Sequence, residues 1–392
     1  MNVSLKVLSP GKRLAEALAP NPADNAWLDC LRALAIALVL LRHGQRVLEM
    51  GPAASFIEVI GINGWAGVDL FFVLSGYLVT AGLLRKYSEQ GFIDLSQFAV
   101  KRIRRIVPAY FAVLTLVLIG YFPSFAVPDE NLGTRVLYHL FFLQDVFPSD
   151  INVVFWSLGV EAKYYALVPF LLLPILRISS LRMILCLGLM AVLLGPAVRW
   201  LIYATTQVDD YHSFWQTLRS PFYACLEPFA LGFLVAVLEK RGVLRLGPKA
   251  ASMLFFGALG VLAVFLGSHI LLEDIGTWDA TVQPLFLALI FAALVVAAIN
   301  MKPMRSQYEA ICRFGARISY SLYLVHFPLI PLSISLTNAL GLGVPAFWML
   351  YTGISIAHAL IILAYIEIPF MKSKSQARSI LPAQHNGQNA VN

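Results

Sequence analysis

The sequence predicts an all-α bundle of about ten membrane-spanning helices with both termini in the cytoplasm. Three observations predict it. Of 392 residues, 59% are hydrophobic and 13% charged, with a mean hydropathy of +0.75; soluble domains run nearer half apolar and a quarter charged. The apolar residues gather into windows of roughly 20, the length a helix needs to cross about 30 Å of hydrocarbon. The charges between those windows alternate in sign along the whole chain.

The expected spans are 28–47, 65–84, 106–122, 156–176, 183–202, 218–238, 252–272, 281–300, 318–340 and 345–368. One set of connections is basic: Arg85, Lys86 and Lys101–Arg105, then Arg177 and Arg182, Lys240–Lys249, and Lys302–Arg317. Both termini belong to it through Lys6, Lys12, Lys372 and Lys374. The alternate set is acidic, with Glu49, Glu58, Asp129, Glu130, Asp145, Asp150, Asp209, Asp210, Glu273, Asp274 and Asp279, and Arg135 almost alone among cations. By the positive-inside rule the basic set is cytoplasmic. An even span count agrees, and one missed span would scramble the alternation downstream.

Residues 1–27 read as a cytoplasmic tail, 28–370 as one integral domain, and 371–392 as a polar, disordered cytoplasmic tail, with no soluble domain attached. The run 136–147 is too short to span and reads as a re-entrant or interfacial helix. The first apolar run is preceded by a basic tail, lacks a small-residue cleavage site and carries Arg32, Arg42 and His43, so it is not a signal peptide. No fixed-period repeat or inverted pair of broken segments is visible. Cys30, Cys186, Cys225 and Cys312 stand in or beside apolar runs at irregular spacing and read as packing residues, neither a disulfide set nor a metal set. No histidines stand at metal-ligand spacing. The +7 charge is spread over loops without interleaved aromatics, which argues against nucleic acid.

Span one carries Arg32 and His43. Eleven residues at about 100° each place them on one helix face, roughly 16 Å apart. An arginine in mid-membrane costs about 2.5–3.5 kcal/mol on insertion scales, so such a stripe belongs against a site or a cavity rather than lipid. His43 alone also fits a satisfied interhelical hydrogen bond. Span two carries Asp69, a carboxylate wanting a proton or a cation at that depth. It also carries Ser75-Gly76-Tyr77, small residues that fit either close helix packing or a pocket.

The segment Lys101–Pro108 sets four cations before span three. It reads as a topogenic cluster or as a seat for polyphosphate, since guanidinium forks match phosphate oxygens. Span four opens on Trp156 and carries Glu161, Tyr164 and Tyr165 on one face. Glu161 reaches the expected depth of His43, where a carboxylate would fix the tautomer of an imidazole and raise its basicity. An ion pair with Lys163 or an arginine fits it equally. Span nine holds Ser319, Tyr323 and His326 on one face; Glu367 ends span ten. Both lie toward the cytoplasmic side, where His326 and Glu367 could meet.

Five stretches taken together resemble the membrane acyltransferase family 3, the bacterial integral-membrane O-acyltransferases. They are Leu28–His43, Gly67–Thr80, Lys101–Tyr110, Trp156–Pro169 and Ser319–Leu329. They follow the family's order across Leu28 to Pro369. One departure stands after Glu161, where relatives often have a second acidic or amide residue and this chain has Ala162 and Lys163.

The resemblance implies that Arg32 and His43 match an Arg-x10-His pattern with the histidine as catalytic base. Arg102 and Arg105 match an Arg-x-x-Arg pattern that handles acyl-CoA. It implies acyl, by default acetyl, transfer from cytoplasmic acyl-CoA to a hydroxyl on a lipid-linked or nascent glycan. The acceptor classes it suggests are exopolysaccharide and lipopolysaccharide, handled in the bacterial inner membrane with lipid as the surrounding partner. Arg32, Arg102 and Arg105 would hold the nucleotide, and Glu161 or Asp69 would orient His43. Ser75, Tyr77 or Arg42 would donate to the oxyanion. Gly76, Trp156, Tyr164, Tyr323, His326 and Glu367 would complete the pocket, with no metal. The competing expectation is a proton-coupled transporter or flippase with His43, Asp69 and Glu161 as its relay.

Overall fold

The computed structural model describes residues 9–19, 25–48, 54–147, 149–208, 210–271 and 275–372. Among them no strand forms. The α-helices in chain order are α1 (Pro10–Leu18), α2 (Ala26–Gln45), α3 (Phe56–Ile62), α4 (Ala66–Gln90), α5 (Leu95–Leu118) and α6 (Leu132–Leu140). Then come α7 (Trp156–Arg177), α8 (Leu181–Thr205), α9 (Tyr211–Phe214), α10 (Leu226–Lys240) and α11 (Pro248–Gly267). The last are α12 (Gln283–Asn300), α13 (Ser306–Val325), α14 (Ile330–Ala339), α15 (Val344–Ile362) and α16 (Ile368–Lys372).

Among the described residues, six continuous helical stretches are long and apolar enough to cross a membrane: 56–90, 153–177, 181–205, 248–267, 278–300 and 344–371. A seventh counts if α13 and α14, bent by 65°, form one span. The chain is a multi-pass membrane protein. Helices α2 and α5 exceed the charge such a span tolerates, through Asp29, Arg32 and Arg42 and through Lys101–Arg105. Those are the charges around which the site is built. Burial sorts the rest. The α4 span is 72% buried within the protein and that of α12 61%, whereas α8 is only 17% buried and presents Met190, Leu194 and Leu201 outward. An apolar face left uncovered by protein is a face for lipid.

Glycine sets a close crossing between α4 and α10. A Cβ on Gly232 would lie 2.1 Å from the Val73 carbonyl oxygen, and one on Gly76 2.5 Å from that of Phe229. Only bare backbones can approach so closely. Gly232→Val is therefore expected to force the two helices apart, costing at least about 1–3 kcal/mol as an overpacked core does. Thermal unfolding in detergent reads this directly; wild-type melting would show that the crossing tolerates a side chain.

Helix α2 packs in parallel against α13. Their register is marked at three heights: Cys30 with Cys312, Ala33 against Gly315, and His43 with His326. Cys30 and Cys312 form a disulfide, which corrects the reading of all four cysteines as packing residues. At a sequence separation of 282, only the parallel packing of two helices makes them neighbours.

Two further expectations change. The window 218–238 is not one helix: a π-helical turn (Trp215–Arg219) and a 3₁₀ turn (Phe222–Ala224) precede the 15-residue α10. Pro221 and Pro228 lack the N–H a continuous helix needs there. Arg199, wholly buried on α8, donates to the carbonyls of Ala224 (2.6 Å), Ala280 (2.7 Å) and Thr281 (3.1 Å) and pairs with Glu227 at 2.6 Å. That guanidinium satisfies the backbone which the broken helices leave open. The window 136–147 is helical only to Leu140 and continues as turns. The C-terminal tail expected to be disordered lies outside the described residues from 373 onward.

Candidate active site

Two polar cavities lie back to back inside the bundle, sharing Val68 and Tyr323 as a common wall. The first, about 110 Å³, is bordered by Arg32, Arg102, Arg105, Ser75 and Glu161. Helix α2 contributes Arg32, which lies 3.8 Å from Asp29 one turn earlier. Helix α5 contributes the other two guanidiniums: Arg102 stands over the rings of Phe98 (5.6 Å) and Tyr165 (5.5 Å), and Arg105 lies 3.8 Å from Glu367. Among the described residues, the buried Arg102 Nε–H meets no hydrogen-bond partner. The Ser75 hydroxyl donates to Glu161 at 2.6 Å.

The second cavity, about 530 Å³, holds His43, Arg42, Arg46, Arg219 and the rings of Trp65, Trp156, Tyr211 and Trp215. Its volume is that of an ordinary small-molecule site. The environment of His43 sets its tautomer. His326 Nδ1 lies 2.8 Å from the Tyr323 carbonyl and 3.2 Å from that of Leu322. Carbonyls only accept, so this nitrogen carries the hydrogen and His326 Nε2 the lone pair. That Nε2 faces His43 Nδ1 at 3.1 Å, and the Val39 carbonyl faces the same Nδ1 at 3.0 Å. His43 Nδ1 is thus the N–H, and His43 Nε2 keeps its lone pair. A neutral imidazole so arranged can accept a proton. Phe327 packs against a further side of the ring, 5.3 Å away between ring centres.

His43 and Arg32 therefore open into different cavities on either side of the Tyr323 wall. The partner expected for His43 from Glu161 or Asp69 is instead His326. Asp69 is held by the fork of Arg219 at 2.7 and 3.0 Å, and Glu161 by Ser75. The three groups His43, Asp69 and Glu161 form no single hydrogen-bonded relay. His326 does not meet Glu367 either: Glu367 accepts from Ser321 at 2.8 Å and faces Arg105. The bend between α13 and α14 falls at His326, ahead of Pro328, and turns the ring toward the end of α2.

Of the three expected oxyanion donors, only Arg42 reaches the His43 cavity. Ser75 borders the other, and Tyr77 points away to donate to Glu239 at 2.8 Å. Gly76 belongs to the crossing with α10 rather than to a pocket, and the Tyr164 hydroxyl lies behind α4 against Thr80 (3.2 Å) and the Gly76 carbonyl (3.3 Å). Trp156 lines the His43 cavity as expected. Tyr323 is tethered across the shared wall by Ser157 at 2.6 Å and the Val154 carbonyl at 2.7 Å. Lys163, one of the partners weighed for Glu161, pairs with Asp145.

Sequence reasoning missed Arg219, Tyr211 and Trp215. Arg219 is buried between the rings of Trp65 (5.0 Å) and Trp156 (5.4 Å). An arginine inside an expected span is itself a signal, but the partner lies 150 residues away. The π-turn that carries Trp215 and Arg219 into the cavity has no sequence signature.

Fold and site together define a multi-pass helical membrane protein with two polar cavities sharing one wall. The chain belongs to acyltransferase family 3, whose model, described as an acyltransferase domain, matches residues 25–364. It is 26% identical over 378 residues to the peptidoglycan O-acetyltransferase OatA of Listeria monocytogenes, covering 88% of this chain and 56% of that protein. It is 25% identical over 393 residues to the O-acetyltransferase OatA of Staphylococcus aureus, covering 95% of this chain and 61% of that one. The chain thus spans about three fifths of the length of these curated relatives. No solved structure matches it.

Proposed function

We propose that this protein transfers an acyl group, by default acetyl, from cytoplasmic acyl-CoA to a hydroxyl of a glycan on the far side of the membrane. One observation carries the reading: a cavity ringed by guanidiniums and a cavity holding a proton-accepting imidazole share a single wall. In this reading the chain crosses the bacterial inner membrane with both termini cytoplasmic, which puts Arg102 and Arg105 on the CoA side. The names of the relatives support a glycan acceptor, and peptidoglycan is one such polymer.

Arg32, Arg102 and Arg105 would bind the nucleotide phosphates, with the unspent Nε–H of Arg102 as one donor. The thin pantetheine arm would pass the wall beside Val68, which requires Tyr323 to give way from its two hydrogen bonds. His43 Nε2 then takes the proton of the acceptor hydroxyl as its oxygen attacks the thioester carbon. The carbon–sulfur bond breaks, the thiolate recovers the proton from the imidazolium, and CoA returns to the cytoplasm. His326 would hold His43 in the working tautomer and accept its Nδ1–H throughout. The rings of Trp65, Trp156, Tyr211 and Trp215 offer faces on which a sugar can stack.

The direct test uses purified protein in lipid nanodiscs with acetyl-CoA and a glycan acceptor. Free thiol should appear only when the glycan is present, and the acyl group should be recovered on it as an ester. No thiol release, or release without ester formation, overturns the proposal. Replacing Arg102 and Arg105 together by glutamine is expected to raise the KM for acyl-CoA by about 10–100-fold. Charge-assisted hydrogen bonds are worth about 1.5–3 kcal/mol each. Turnover at saturating donor should change little. An unchanged KM would leave these arginines as topology signals alone.

A further inference from the structure

Among the described residues, the positive charge of the His43 cavity is not fully neutralised. Arg42 is buried at the end of α2 with 9% of its surface exposed. Its guanidinium donates only to uncharged oxygens, the Ile62 carbonyl and the Tyr211 hydroxyl, the latter at 3.2 Å. One turn on, Arg46 lies over the same Tyr211 ring, with centroid distances of 5.8 Å for Arg42 and 5.4 Å for Arg46. Among the described residues neither guanidinium meets a carboxylate. The third arginine of the cavity, Arg219, is neutralised by Asp69. The cavity's one lining carboxylate, Asp210, accepts from the Ser213 backbone N–H at 2.7 Å as a helix cap.

Two like charges flanking one ring, one of them withdrawn from water, are costly unless an anion joins them. Guanidiniums suit carboxylate and phosphate because their planar forks bind two oxygens at once. The same cavity presents four aromatic rings, so the anion should arrive on a ligand with stackable faces. We infer that the acceptor bound in the His43 cavity is an anionic sugar, whose carboxylate or phosphate sits between Arg42 and Arg46 while the sugar ring packs on the aromatic wall. This rests on the acyl-transfer reading above and narrows its acceptor class. It would also orient catalysis, because an anchored anion fixes which hydroxyl of the sugar is offered to His43.

The test compares three acceptors of one glycan backbone: one bearing uronic acid, one with that carboxyl reduced to the alcohol, and one bearing a sugar phosphate. With purified protein in nanodiscs, at least one anionic acceptor should exceed the neutral one in kcat/KM by about 10-fold or more. The anionic arm that wins identifies the group, and the advantage should shrink as salt rises. Arg46→Glu should lower the anionic-to-neutral ratio by about 10-fold or more, and Arg46→Lys should restore part of it. Arg46 is exposed at the end of α2, so these variants should fold. Equal or better transfer to the neutral glycan overturns this inference and leaves acyl transfer standing. An unchanged ratio in Arg46→Glu also overturns it. Acylation of none of the three removes both.

Discussion

Replacing His43 by alanine is expected to lower acyl transfer by about 10²–10⁴-fold, the usual worth of a positioned general base. His43 Nδ1 is committed to the Val39 carbonyl and His326, leaving Nε2 to act. The loss should fall on kcat rather than on the KM for donor, because His43 borders the cavity opposite the guanidiniums. Folding should survive, since the ring faces open volume on one side and only Phe327 and His326 on the others. Single-turnover thiol release, with size-exclusion profiles of both proteins, checks this. Activity persisting in a folded variant removes His43 from the base role. His326→Gln offers a finer reading: it should lower kcat with little change in either KM, because His326 acts only through His43.

Arg219→Met is expected to be the most destabilising single change, at about 3–5 kcal/mol. The cause is less the lost attraction than what remains. Asp69 is 3% exposed by its side chain, and without the fork it would be a lone carboxylate among Trp65, Trp156 and apolar neighbours. Arg219→Met combined with Asp69→Leu should recover much of the loss, since a buried pair replaced on both sides is often near neutral. Thermal unfolding of the wild type, both single variants and the double variant measures the coupling. Strictly additive losses would mean that the two side chains do not depend on each other.

Within the site, legibility followed how local the signal was. Arg32 and His43 were assigned to one helix stripe because eleven residues close to whole turns, and each does border a polar cavity. Arg102 and Arg105 border the first cavity with Arg32. Asp69 reads from sequence as wanting a proton or a cation, and the cation it meets, Arg219, stands in a window that reads as one unbroken helix. Tyr77 and Gly76 were assigned to a pocket from adjacency with Ser75; successive helix positions turn by about 100°, so neighbours in sequence face different partners.

By itself the sequence determined that the protein is an all-helical, multi-pass membrane protein and which helices carry its charges. Hydropathy and helical periodicity are properties of short windows, so chain order suffices to read them. Only tertiary structure decided that His326 rather than a carboxylate holds His43, that Cys30 meets Cys312, and that Tyr323 divides two cavities. Those facts depend on which helices lie side by side and at what register. The free energies that choose register are packing at glycine crossings and satisfaction of buried polar groups, and these act between residues far apart in the chain.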